Sequence, residues 1–193
     1  MKRFALLLLG ALLSGNALAA PANVTPTLPG DSVYQLAATL TDQDGHAQPF
    51  AARRGQVQLV SMIYTSCTMV CPMIVDTMKL TRKAVAEPGR DKLALLAVSF
   101  DPERDSVDAL RHYAAARKLD MRYWTLARPQ PKDARPLAAL LGLQYRQLPD
   151  GDFNHSSELI LLDTDGRIAA RTSTIGRVDP EFVSAVNKAL EPH

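Results

Sequence analysis

Tyr64-Thr65-Ser66-Cys67-Thr68-Met69-Val70-Cys71-Pro72 holds both cysteines of the 193-residue chain and joins an apolar run to a helical pattern. Gln56 to Tyr64 reads as a buried strand from its Val, Leu, Ile and Tyr content. Ile74, Met78 and Thr81 recur at three to four residues as one stripe of a helix, and Pro72 fits the first turn, where a missing backbone N–H costs nothing. With Cys67 at the mouth of the strand-to-helix turn and Cys71 at the helix start, the two sulfurs can converge. Convergence admits a reversible disulfide, with a thiolate stabilised by helix N-terminal amides. It also admits soft-metal binding, because two thiolates select Cu(I) or Zn and an imidazole can complete a three-coordinate site. A purely stapling disulfide is the blander alternative, and so short a loop constrains little unfolded-state entropy.

Upstream, Met1-Lys2-Arg3, the apolar run Phe4 to Leu13 and the small residues through Ala20 have the order of a secretory signal, with an Ala-x-Ala site cleaved after Ala19. The apolar run is too short to span a bilayer, and no later segment qualifies, so the expected mature protein is a soluble periplasmic monomer without an integral membrane segment. Removing Lys2 and Arg3 leaves 20 basic against 20 acidic residues, which gives no basis for nucleic-acid binding. The expected organisation is a signal peptide over 1–19, a flexible segment over 20–31 and one domain over 32–193.

Within that domain a weak strand pattern from Val33 to Leu40 leads into the turn Asp42-Gln43-Asp44-Gly45. Lys92 to Phe100 is a continuous apolar run suited to a central parallel strand. Ser106 can cap a second helix whose inner face is Val107, Leu110, Tyr113 and Ala114. A short segment at Arg122 to Leu126, a third helix from Pro136 to Leu143, a hairpin of Ser157 to Asp163 with Arg167 to Thr172, and a last helix from Pro180 to Leu190 complete the pattern. The alternation predicts an α/β fold with helices on both faces of a central mixed sheet. A cysteine pair after the first strand of a βαβ unit, followed by a terminal β-hairpin and helix, is a thioredoxin-like arrangement, here with an N-terminal β extension.

No proline immediately precedes the last hairpin, and Asn154-His155-Ser156 stands in its place. His155 lies 84 residues after Cys71, in what reads as a polar loop that the fold brings beside the first helix. His46, His112 and His193 have no comparable placement. Met73 reads as core packing under the helix and Met69 as a candidate extra ligand on an exposed loop. Phe100, Tyr113 and Trp124 read as core aromatics. Asp101 and Asp105 have no substrate pocket signature beside them and read as a structural loop, one carboxylate capping the helix and another pairing with Arg104.

Tyr64-Thr65-x-Cys67-x-x-x-Cys71-Pro72, Asp101-Pro102-Glu103-Arg104-Asp105 and the late His155, in this order, resemble the Sco/SenC family of copper-binding, thioredoxin-fold proteins. The resemblance covers Leu36 to Leu190. It implies copper bound by Cys67, Cys71 and His155, and a role in donating copper to, or reducing the thiols of, the binuclear copper site of cytochrome c oxidase. Met69 and Val70 stand where the family commonly has Pro-Asp, and Asn154 stands where it has an aspartate. Fewer carboxylates favour Cu(I) or thiol chemistry over the harder Cu(II). The family's membrane tether is not expected in this chain.

The expected function is therefore a copper chaperone for a respiratory oxidase copper subunit or another periplasmic copper protein. The alternatives are a thiol:disulfide reductase, served by a thioredoxin-like reductant, with Cys67 attacking and Cys71 resolving, and a noncatalytic copper or redox sensor.

Overall fold

In the computed structural model, which describes residues 27–191, a 3-10 turn at Val33–Gln35 precedes a hairpin of β1 (Thr39–Asp42) and β2 (Ala47–Pro49). The expected leader, the start of the 20–31 segment and His193 lie outside the described residues. The Val33 to Leu40 segment is not one strand, because the Ser32 hydroxyl accepts the Tyr34 amide at 3.1 Å and caps a turn there.

The chain continues through β3 (Gln58–Ile63), α1 (Val70–Ala84), β4 (Ala94–Ser99), α2 (Val107–Ala116), β5 (Trp124–Pro129) and α3 (Pro131–Leu140). It ends with β6 (Tyr145–Gln147), β7 (Phe153–His155), β8 (Leu159–Leu162), β9 (Ile168–Thr172) and α4 (Pro180–Ala189). Seven strands form one mixed sheet in the order β2-β1-β5-β4-β3-β8-β9. β3, β4 and β5 run parallel at its centre, while β1 and β8 flank them antiparallel. α1 packs on β3, α2 and α3 on β5, and α4 on β9. This is the expected α/β architecture with its N-terminal β extension and closing hairpin plus helix.

Every residue of β3 and β8 is buried, as is β4 beyond Ala94. A strand covered on both faces needs a continuous apolar run, and each buried Leu or Val contributes about 1.5–3 kcal/mol. The polar side chains within β3 are paired: Gln58 with Arg53 and Tyr34, and the Ser61 hydroxyl with the Glu158 carbonyl at 2.7 Å.

Some boundaries differ from expectation. α3 opens at Pro131, the first helical position, and Pro136 lies inside it, removing the amide that would bond the carbonyl four residues back. β5 runs on to Pro129 because its outer edge pairs with β1. α2 begins where expected, with the Ser106 hydroxyl accepting the Ala109 amide, but Val107 is only half-buried.

Candidate metal centre

β3 and α1 place the cysteines. The strand ends at Ile63, a turn follows in which the Cys67 amide donates to the Tyr64 carbonyl, and the helix begins at Val70 with Cys71 and Pro72 in its first turn. Cys71 is fully buried and Cys67 nearly so; both are free thiols. The Cys71 amide donates to Cys67 Sγ at 3.3 Å, so an orphan N–H of the helix start is aimed at the outer sulfur. Burial opposes the Cys67 thiolate, but this amide and the neighbouring donors outweigh it and hold the thiol below its ordinary range. Burial dominates at Cys71 and pushes its thiol well above that range.

His155 joins them from a different element. It closes a two-stranded hairpin of β6 and β7, in register Tyr145 to His155 and Gln147 to Phe153, and not a loop as the sequence suggested. The Ser156 amide bonds the Gln144 carbonyl at 2.8 Å and locks the hairpin base. His155 Nε2 lies 3.6 Å from Cys71 Sγ. His155 Nδ1 lies 2.8 Å from the Ser156 carbonyl, which can only accept, so Nδ1 carries the proton and Nε2 presents a lone pair to the sulfurs. One donor atom from each of Cys67, Cys71 and His155 lies within 4.8 Å of the others. Two sulfurs and a correctly oriented imidazole are a soft, three-donor set that fits a Cu(I)-sized ion.

Aromatic rings cradle the imidazole. Phe100 lies 4.9 Å from His155, stacks on Tyr145 at 4.9 Å and meets Phe153 edge-on at 5.1 Å; Tyr64 meets Phe153 at 5.2 Å. Phe100 is therefore buried as expected, yet it is also a wall of the site. Two polar clamps fix the hairpin over the cysteine turn. The Tyr64 hydroxyl donates to Asp152. Arg104, paired with Asp101, donates to the Gly151 carbonyl at 2.8 Å and lies over the Phe153 ring at 5.3 Å. Ser106 caps α2 as expected, and neither carboxylate does: Asp101 pairs with Arg104, while Asp105 bonds Thr65 and Ser99. Tyr113 and Trp124 are buried in the core as read.

Met69 is exposed, in keeping with its position between the cysteines. Met73 is not core. Ile74, Val75, Met78 and Thr81 face the sheet, which turns Met73, Asp76 and Leu80 outward on the opposite stripe. A second group of candidate ligands, Asp42, Asp44 and His46, gathers at the β1–β2 turn.

The family model described as SCO1/SenC matches residues 30–191. Among similar proteins, the SCO1 protein homolog of Bacillus subtilis is 26% identical over 133 residues, covering 67% of this chain and 68% of that one. The structure of Bradyrhizobium japonicum ScoI with copper bound superposes with a TM-score of 0.66 at 24% identity, over 80% of this chain and 97% of that one. BsSco, described as a member of the Sco family of cytochrome c oxidase assembly proteins with a disulfide switch, gives 0.66 at 23% identity, over 79% and 90%. At these identities the structural likenesses establish the shared fold. The match to the family model runs from the segment before β1 to the end of α4 and takes in the cysteine turn, the Asp101–Asp105 loop and the His155 hairpin, and on that ground the chain belongs to the SCO1/SenC family.

Proposed function

We propose that this protein is an exported copper chaperone, a single domain over 32–193 behind a cleaved 1–19 leader, that holds Cu(I) between Cys67, Cys71 and His155. Its cargo would go to a respiratory copper site, that of cytochrome c oxidase first among them, or to another periplasmic copper protein. The observation that carries this is the oriented imidazole: Nδ1 is committed to the Ser156 carbonyl, and Nε2 faces two sulfurs from a separate element. The copper bound in the Bradyrhizobium relative and the oxidase assembly role named for the Sco family of BsSco support the same reading.

Anaerobic titration of the reduced protein with Cu(I) against a competing chelator tests it. One equivalent should bind. Replacing either cysteine by serine should lower affinity more than about 100-fold, since loss of outer partners alone costs about 10–100-fold at metal sites.

The depressed Cys67 thiol supports a second reading as a thiol:disulfide reductase. There the Cys67 thiolate attacks a partner disulfide and expels one partner thiolate. Cys71 then attacks Cys67, releasing the second, so two electrons leave this protein and its own disulfide forms. His155→Ala separates the readings. Copper affinity and transfer should fall more than thiol exchange does; unchanged copper handling with lost reductase turnover would favour the reductase.

A further inference from the structure

The sulfur donors at this end of the molecule extend beyond the converging pair. Exposure rises outward through them: 0% at Cys71, 8% at Cys67, 48% at Met73 and 79% at Met69. Met69 immediately precedes α1, with a non-helical backbone (φ −112°, ψ −81°), and Met73 stands in the first turn, so the two thioether side chains flank the helix start that carries Cys71. Between them in sequence stands Cys71. A Cβ placed at Gly176, in the segment between β9 and α4, would sit 3.5 Å from Met73 Cε, so Met73 has one wall and Met69 is open to water.

An apolar docking patch would extend through neighbouring apolar residues, but Ser66, Thr68 and Asp76 around this pair are exposed and polar. What the two residues have in common is a thioether, a neutral soft donor with affinity for Cu(I). Resting on the copper reading above, we propose that Met69 and Met73 form a surface exchange site through which Cu(I) enters and leaves the Cys67, Cys71 and His155 centre. A copper–sulfur bond to Cys67 breaks as one to a thioether forms; acceptor sulfurs then displace the Cys71 sulfur, the His155 nitrogen and last the thioether, each leaving with its own electron pair. Copper remains Cu(I) throughout, and the freed Cys67 sulfur keeps its electron pair until a proton from solvent arrives. Neutral thioethers suit this step because they bind more weakly than thiolates and so do not trap the ion.

The test compares wild type with Met69→Leu/Met73→Leu, which preserves bulk and apolarity while removing both sulfurs. Equilibrium Cu(I) affinity should stay within twofold, while release to excess bathocuproine disulfonate slows at least tenfold. Equal release rates would overturn the proposal. So would unchanged release to the chelator combined with slower delivery to a protein acceptor, which would make the pair a docking contact. In Cys67→Ser/Cys71→Ser protein, Ag(I) should shift the methyl resonances of Met69 and Met73 and leave buried Met62 and Met78 unmoved. Unshifted methyls at 69 and 73 in folded protein would also overturn it. If wild type binds no Cu(I), the chaperone reading fails, and the Ag(I) titration alone decides the thioether site.

Discussion

Asp105 accepts hydrogen bonds from both the amide of Thr65, at 3.1 Å, and its hydroxyl, at 2.5 Å, across 40 residues of chain. The Ser99 hydroxyl donates to the same carboxylate at 2.6 Å, so one buried side chain ties the ends of β3 and β4 together directly ahead of the cysteine turn. Asp105→Ala leaves the Thr65 amide and the Ser99 hydroxyl without an acceptor. At about 1–3 kcal/mol for each unsatisfied buried donor, it should cost about 2–6 kcal/mol, measured by urea unfolding.

The same carboxyl makes a pH prediction. Burial raises its pKa above the ordinary 3.8, and the Ser99 and Thr65 donors only partly offset this. The folded protein therefore holds this proton more tightly than the unfolded chain does. The stabilisation it brings is complete below the unfolded value and is lost as pH rises through the folded one. Asp105→Asn, which cannot ionise, should gain stability relative to wild type as pH rises above the ordinary carboxyl value of 3.8. Parallel pH profiles of Tm would contradict this.

Arg104 acts on the site through the His155 hairpin. Its ion pair with Asp101 is half exposed on the Arg side and contributes less than about 1 kcal/mol to stability. Its bond to the Gly151 carbonyl and its place over Phe153 nevertheless hold the turn of that hairpin. Arg104→Ala should unfold at nearly the wild-type urea concentration yet bind Cu(I) about 10-fold more weakly, with faster amide exchange in β6 and β7. Unchanged affinity would show that the aromatic contacts suffice.

Much of this arrangement is legible in the sequence. β3, β4 and β8 are predominantly apolar because both their faces are covered, and the helix after the cysteines shows its inner stripe at Ile74, Met78 and Thr81. The His155 hairpin is not legible as structure. Its strands are three residues long, Arg146, Gln147 and Asn154 are exposed, and its position depends on rings and clamps supplied by Tyr64, Phe100 and Arg104 from elsewhere in the chain. Met73 misleads because methionine is at home in cores, and only the helix phase shows it facing water. The Asp105 bonds to Thr65 and Ser99 leave no local sequence signal, since capping and turn chemistry at that position look equally suitable.

The two thiols should differ in reactivity with opposite pH signs. The Cys67 thiol lies below its ordinary value, so the stability it contributes is present above the unfolded value and is lost as pH falls through the folded one. The Cys71 thiol lies above its ordinary value, so its contribution is present in the protonated range and is lost as pH rises. Iodoacetamide at neutral pH should modify Cys67 first and leave Cys71 intact, as read by peptide mass mapping of reduced protein. Modification of Cys71 first would reverse the assignment of outer and inner sulfur.

Copper K-edge X-ray absorption of the reduced protein loaded with one equivalent of Cu(I) tests the three-donor centre most directly. The account predicts two sulfur scatterers and one imidazole nitrogen in wild type, with the imidazole contribution lost in His155→Ala and both sulfurs retained. A wild-type spectrum without imidazole, or one unchanged by His155→Ala, would contradict it.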